Sequence, residues 1–233
     1  MLTPGKTLAV LVGLTIGIAT GAQAVAPDFM DKLGAAARPA EDKARDGSRR
    51  PYQVMQLLDV REGMTVVDVA AGGGWYTEVL SAAVGPSGTV IAQFGSGGDA
   101  AQRQARQARA DRLGNVQALF DGLPAAGVGV ADRAVTALTL HHRNTAFLRE
   151  IYEALKPGGM AIVIDHEGSP GMDNDELHRM VKADARRMID EAGFEVVADS
   201  DLLHTSADDH SLYIMSAELG RDTDRFLFLV RRP

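Results

Sequence analysis

The sequence predicts an α/β fold: a single doubly wound, mostly parallel sheet that closes on an antiparallel last strand. Three observations carry this. Apolar runs of strand length alternate with helical stretches from Met64 onward, the pattern of strands joined by helical crossovers. One of those runs, Val66-Val67-Asp68-Val69, passes directly into Ala70-Ala71-Gly72-Gly73-Gly74, a strand feeding a ligand-binding turn. With 233 residues the chain holds one α/β domain of ordinary size and would be cramped as two.

Residues 1–24 form a separate unit that reads as a secretory signal peptide. Lys6 precedes the uncharged run from Thr7 to Gly21, and Ala22-Gln23-Ala24 supplies a small-x-small cleavage pattern. The run is short for a bilayer span, which needs about 20 apolar residues, and Pro27, Asp28, Asp31 and Lys32 follow it. This places the mature chain in the periplasm or outside the cell, with no stable membrane span. Residues 25–52 form a polar N-terminal segment, in which Arg38 to Pro51 interleaves acids and bases in the manner of a solvated linker. Residues 53–233 form the domain.

A helix over Tyr52 to Val60, with Val54, Leu57 and Leu58 on one side, leads into the sheet and ends near Gly63. Strands are expected at Met64 to Val69, Thr89 to Gln93, Val116 to Phe120, Arg133 to Leu140 and Met160 to Asp165. Between them lie helices at Trp75 to Val84, stopped by Gly85-Pro86, and at Ala100 to Leu113, rich in Ala, Arg and Gln and stopped by Gly114. A third, Thr145 to Leu155, stops at Pro157-Gly158-Gly159. Crossovers of this length are right-handed. After the turn Gly168-Ser169-Pro170-Gly171 a helix spans Asp175 to Ala192 and closes at Gly193. Phe194 to Ala198 and Phe226 to Val230 complete the sheet. The chain between them is too poor in helix signals for a crossover, so the last strand is antiparallel.

Charge and composition exclude one class of partner. The formal net charge is -7 and no long basic run occurs, so the chain lacks an electrostatic footprint for nucleic acid. The absence of cysteine fits export without disulfides and a reduced compartment equally.

The glycine turn is the strongest chemical signal. Glycines there let the backbone take positive φ and let a ligand approach the main chain, while the free N–H groups of the following helix favour a carboxylate or phosphate. A dinucleotide fingerprint would need a glycine at Thr77, and no Walker phosphate loop occurs in the chain. Trp75 and Tyr76 open the next helix, where an aromatic face can contact a cation. Asp121, in Phe120-Asp121-Gly122-Leu123-Pro124, is placed to accept a hydrogen bond from an adenine amino group.

Ligands of open α/β sheets bind outside the carboxyl ends of the strands. His141 and His142 follow the fourth strand and Asp165-His166 ends the fifth, so imidazoles and a carboxylate converge on that rim. His142 and His166, with His178, are the catalytic candidates, as general bases or hydrogen-bonding groups toward an acceptor. A base role predicts an acid limb in the pH-rate profile near the ordinary imidazole pKa of about 6.5. His141 is expected to point the other way and be buried, and His204 and His210 fit surface-loop and site positions equally. Asp165, His166, His178, Asp208, Asp209 and His210 include donors suited to zinc, iron or manganese, but they would have to be collected from several loops. With no H-E-x-x-H and no cysteine, no residue is assigned to a metal; no G-x-S-x-G elbow occurs either.

Taken together, Asp68 to Gly74, Asp121-Gly122-Leu123-Pro124 and Leu155-Lys156-Pro157-Gly158-Gly159 resemble, in order and spacing, the class I S-adenosylmethionine (SAM) dependent methyltransferases. The resemblance runs from about Gln53 to the carboxyl end. The flanks Arg45 to Pro51, Gly74 to Glu78, His141-His142, Asp165-His166, Leu177-His178-Arg179, Glu191 to Phe194 and Thr223 to Phe226 are similar to those of a bacterial group of exported predicted methyltransferases. The resemblance implies a Rossmann-like sheet and SAM as cofactor, held by Asp68, Ala70, Gly72, Gly74, Trp75, Tyr76, Gln93 and Asp121. It implies methyl transfer to a small-molecule or cell-envelope acceptor. Two departures stand out. Ala70 replaces the first glycine of the motif, and Gln93 replaces the acidic residue that closes the second strand on the ribose hydroxyls, leaving weaker, uncharged hydrogen bonds. Two other functions stay open on the residues alone: a nucleoside- or SAM-binding protein without turnover on the same fold, and a metal-assisted hydrolase or lyase using the histidine rim.

Overall fold

The computed structural model describes residues 25–233; the expected signal peptide at 1–24 lies outside them. Four short helices lead in, α1 (Phe29–Gly34), α2 (Ala40–Lys43), α3 (Asp46–Arg49) and α4 (Pro51–Leu57). Then β1 (Thr65–Val69), α5 (Trp75–Val84), β2 (Thr89–Gln93), α6 (Ala100–Leu113) and β3 (Val116–Leu119) alternate. They are followed by β4 (Ala131–Ala137), α7 (Thr145–Ala154) and a long β5 (Leu155–Gly168). The chain continues through α8 (Asn174–Leu177), a two-residue β6 (Met180–Val181), α9 (Lys182–Glu191), β7 (Glu195–Ser200) and β8 (Arg225–Arg231).

The sheet order is β3-β2-β1-β4-β5-β8-β7. Neighbours from β3 to β5 run parallel, and β8 lies antiparallel between β5 and β7, as the missing crossover signal predicts. Local chemistry sets the helix ends. Asp99 and Gln102 form a reciprocal capping box at the start of α6, and Gly114 ends it at φ +76. Among the described residues no helix is long and apolar enough to cross a membrane.

Alternation along the strands divides the core into two layers. Val66 packs with Met55, Leu58, Val79 and Leu80 on one face, whereas Val67 and Val69 pack with Leu148, Ile151 and Ile189 on the other. On β5, Ile162 and Ile164 belong to the first layer, Ala161 and Val163 to the second. Carried to the strand ends, this period of two sends Asp68 and His166 to the α5 face and Asp165 to the α7 and α9 face. The rim expected to gather the histidines on one side is therefore split between two.

Three stretches depart from the sequence reading. The single helix expected over Asp175 to Ala192 is broken after Leu177, because His178 takes left-handed backbone angles at φ +55 and ψ 45. The break turns Arg179 inward, where it is fully buried on Asp208 at 2.9 and 3.0 Å and donates to the carbonyls of Glu167 and Leu212. Second, β4 stops at Ala137 rather than Leu140, since Leu138 has φ +59 and a single turn of 3-10 helix follows at Leu140–His142. Third, the polar segment around Arg38 to Pro51 packs on the domain. Arg38 and Asp42 are each only 3% exposed: Arg38 is paired with Asp46 at 2.8 Å, and Asp42 takes Arg109 at 2.6 Å on its carboxylate and Trp75 Nε1 at 2.9 Å on its carbonyl. Opposite charges that read as solvent-facing are spent on one another and on α5 and α6.

Candidate active site

The carboxyl ends of β1, β4 and β5 and the amino end of β8 open onto two adjoining clefts beneath this N-terminal segment. The first, of about 510 Å³, is lined by Asp68, the backbone of Val69 to Gly73, Trp75, Tyr76 and Leu138, with Glu41, Arg45 and Arg49 above. The second, of about 580 Å³, is lined by His166, Thr223, Arg221 and Arg225. Both share Glu41, Arg45, Arg49 and Leu138. Leu138, a non-glycine residue at positive φ, is thus a strained position at the junction.

Asp68 is 3% exposed and accepts a hydrogen bond from Thr77 Oγ1 at 2.6 Å. Burial pushes its carboxyl up to about 7, against the Thr77 hydrogen bond, which favours the ionised form. The turn that follows takes φ +53 at Ala70, +57 at Gly72 and +89 at Gly74. A Cβ on Gly72 or Gly73 would meet no heavy atom within 4 Å, so the turn borders open space that a ligand can fill. At Gly74 a Cβ would stand 2.7 Å from Arg109 Cδ, so here glycine is required by its backbone and by α6.

Gln93 does not extend into the cleft as a free amide. Its Oε1 accepts from the Ala70 N–H at 2.9 Å and its Nε2 donates to the Asp121 carbonyl at 2.9 Å. It ties the glycine turn to the loop after β3. Asp121 is exposed, and its Oδ1 accepts from the next backbone N–H, Gly122, at 2.8 Å. Trp75 is anchored by Asp42 and covered by the Arg49 guanidinium, 4.8 Å above its ring. Tyr76 sets its ring edge-on to Trp75, and burial pushes its phenol up to about 12.

The histidines fall into three groups. His166 is 7% exposed, holds Thr223 Oγ1 at 2.7 Å through Nδ1, and faces Arg225 in the β5–β8 register. Burial, reinforced by Arg225, pushes its imidazole down to about 2, so it is neutral throughout the working range. The acid limb expected from His166 near 6.5 is therefore displaced out of reach. His141, His142 and His178 form a second group outside the two cleft linings, and His141 Nδ1 lies 2.9 Å from Asp165 Oδ1. His142 Nε2 and His178 Nδ1 are 3.1 Å apart. Burial and the two neighbouring imidazoles lower the His142 pKa. His204 and His210 both hold Asp224, at 3.0 and 2.9 Å, and so fasten the excursion between β7 and β8 to the start of β8.

Two cationic residues absent from the sequence reading matter most. Arg225 is 4% exposed; it donates to the carbonyls of Ser48 and Arg221 at 3.1 and 3.0 Å, and its Nε is buried without a partner. Arg49 lies on Trp75, and burial lowers its pKa to about 10. Burial also lowers Arg225. A desolvated guanidinium held by carbonyls and an aromatic face, with no carboxylate bound to it, is poised for an anion. The flanks Arg45 to Pro51 and Thr223 to Phe226 carried the only sequence signal for this pair.

Comparison with known proteins places the architecture. The family model described as a methyltransferase domain matches residues 67–163, which run from β1 into β5. A SAM dependent methyltransferase from Aquifex aeolicus superposes with a TM-score of 0.62 at 21% identity, over 87% of this chain and 98% of that chain. A geranyl diphosphate methyltransferase solved in complex with SAM gives a TM-score of 0.62 at 14% identity, over 91% and 96%. A cyclase is similar at a TM-score of 0.60 and 17% identity, over 80% of each chain. No curated protein matches the chain. The fold is thus the Rossmann-like sheet of class I methyltransferases, a fold on which a cyclase also stands.

Proposed function

We propose that the chain is a SAM-dependent methyltransferase that acts outside the cytoplasm on a small acceptor carrying a carboxylate, phosphate or similar anionic group. The observation that carries the reading is the pair of joined clefts: an acidic, open-sided glycine turn on one side of Arg49 and a cationic pocket on the other. The first cleft falls in the size range of small-molecule sites, about 300–1,000 Å³, and its donor set fits SAM. SAM supplies a methyl group on a sulfonium cation, with an ammonium and a carboxylate at its amino-acid end. Asp68 and the face of Tyr76 suit the cationic groups, and Arg49 suits the carboxylate.

In this reading Arg225 binds and orients the acceptor's anionic group, and His166 offers Nε2 to it as a neutral hydrogen-bonding group, its Nδ1 being held by Thr223. The segment around Glu41, Arg45 and Arg49 covers both clefts and keeps water from the junction. Positioning of two reactants can supply roughly 7–11 kcal/mol of such a barrier, so a strong general base is dispensable. Gln93, with both amide groups engaged, supports the turn rather than the ribose.

Calorimetric titration of residues 25–233 with SAM tests the cofactor assignment, and release of S-adenosylhomocysteine across a panel of carboxylates, phosphates and their neutral analogues tests the acceptor class. The expected result is SAM binding with turnover confined to anionic acceptors. SAM binding with no turnover on any of the panel favours the binding protein, and no SAM binding overturns the proposal.

A further inference from the structure

We propose that His141, His142 and His178 form a binding site for one divalent transition-metal ion of the zinc class, with Asp165 fixing the orientation of His141. Nothing in this site is needed for the methyl-transfer reading, and it lies outside both clefts. The fold gathers these imidazoles from two stretches of chain distant in sequence, the 3-10 turn after β4 and the break between α8 and β6. One ligand nitrogen of each lies within 4.8 Å of the other two.

The geometry is close to that of a three-imidazole site. Metal–nitrogen bonds of about 2.0–2.1 Å in a tetrahedron set the nitrogens roughly 3.3 Å apart. His142 Nε2 and His178 Nδ1 already stand at 3.1 Å. The fully buried Asp165 takes His141 Nδ1 on one oxygen at 2.9 Å and the His141 backbone N–H on the other at 2.8 Å. This leaves His141 Nε2 as the ligand atom, in the carboxylate–histidine–metal relay found behind many metal sites.

The helix break at the end of α8 sets the His178 ring beside His142. His178 stands in left-handed backbone at φ +55, and its ring meets His142 edge-on, with centroids 4.8 Å apart. The break that seats Arg179 on Asp208 also fixes where the His178 ring stands. His142 is exposed, which gives an ion a route in. Three neutral imidazoles without thiolate select zinc, cobalt, nickel or copper over magnesium or calcium. Three protein ligands leave a coordination position open, as in catalytic rather than structural zinc sites.

The test uses tag-free protein covering residues 25–233, stripped of metal with a chelator and titrated with zinc chloride by calorimetry and with cobalt chloride by visible absorption. The expected result is one ion per chain and the intense absorption of tetrahedral cobalt. His142→Ala and His178→Asn, the latter keeping a residue that tolerates left-handed backbone, should each weaken zinc binding at least about 100-fold and abolish the cobalt band. Asp165→Asn, which loosens the hold on His141 Nδ1, should cost about 10–100-fold. His204→Ala, which touches only Asp224 and solvent-side groups, should change nothing. Substoichiometric zinc binding to the parent protein overturns the proposal, whatever the folding of the variants. So does a site that survives both ligand substitutions or disappears in His204→Ala.

Discussion

Asp68→Asn offers a test in which stability and ligand binding move in opposite directions. In the ligand-free protein burial raises the Asp68 carboxyl from 3.8 to about 7, a shift worth about 4 kcal/mol at 1.36 kcal/mol per pH unit. The folded state therefore holds more protons than the unfolded state between those values, and stability falls as pH rises through the window. Asparagine keeps an oxygen for Thr77 Oγ1, now 2.6 Å from the carboxylate, and removes the buried charge. At pH 8 the variant should melt higher than the parent, by at most about 8–16 °C at 2–4 °C per kcal/mol for a chain of this size. The gain should vanish near pH 4.

SAM binding should respond the other way. A sulfonium and an ammonium favour the ionised carboxylate, so binding below pH 7 should expel a proton. With a ligand-free pKa of about 7, the ionised fraction falls from about nine-tenths at pH 8 to about one-tenth at pH 6, and parent affinity should fall about tenfold with it. Asp68→Asn should bind about 10- to 150-fold more weakly at pH 8, the equivalent of one charged hydrogen bond at about 1.5–3 kcal/mol, and should lose the proton release that the parent shows below pH 7. Calorimetry in two buffers of different ionisation enthalpy counts the proton directly. Parent affinity that is flat from pH 6 to 8, or a variant that binds SAM as tightly as the parent, refutes the placement of the cofactor's cationic end at Asp68.

Three further outcomes follow from the same geometry and a fourth from the sequence alone. Arg179→Met leaves the Asp208 carboxylate buried without its partner, a loss of about 3–5 kcal/mol, and should lower the melting temperature by about 6–20 °C while calorimetry finds SAM affinity within a few-fold of the parent. Gly74→Val places a branched side chain at φ +89 and 2.7 Å from Arg109 Cδ, so the folded variant, checked by circular dichroism, should no longer titrate with SAM. His166→Gln should lower turnover without adding or removing a limb in the pH-rate profile between pH 5 and 8, since the parent imidazole is already neutral there. The mature protein should begin at Val25 and fractionate outside the cytoplasm, which amino-terminal sequencing of each fraction checks.

The sheet was readable because its signals are local. Val66, Val67 and Val69 pack on two sides of β1, and glycines close α6 and the turn before β7, so alternation and punctuation fix the elements without knowledge of their partners. The same period of two, carried along the folded strands, sets Asp68 and His166 toward one layer and Asp165 toward the other, a split that the sequence reading of a single rim overlooked. What failed depended on contacts between distant segments. The stretch from Asp175 to Ala192 has helical composition throughout, yet the ion pair of Arg179 with Asp208, 29 residues on, outweighs that preference and breaks it at His178. Arg38 to Pro51 looks like a solvated stretch because nothing local says that Asp42 will meet Trp75 and Arg109.

The arginines carry this furthest. Arg49, Arg109, Arg179 and Arg225 are equivalent as letters, and each sits near acidic residues in the sequence. Only the folded chain separates them. Arg109 is spent on Asp42 and Glu78, and Arg179 on Asp208, so both hold the framework together. Arg225 is buried just as deeply but reaches only carbonyls, and Arg49 only an aromatic ring. Desolvating a charge without a bound opposite charge is expensive; for Arg225 the more distant Asp222, Asp224 and Asp208 offset part of the burial, and its pKa still falls. Both guanidiniums line the second cleft, and this is why the proposed acceptor carries an anionic group and is placed beside the glycine turn.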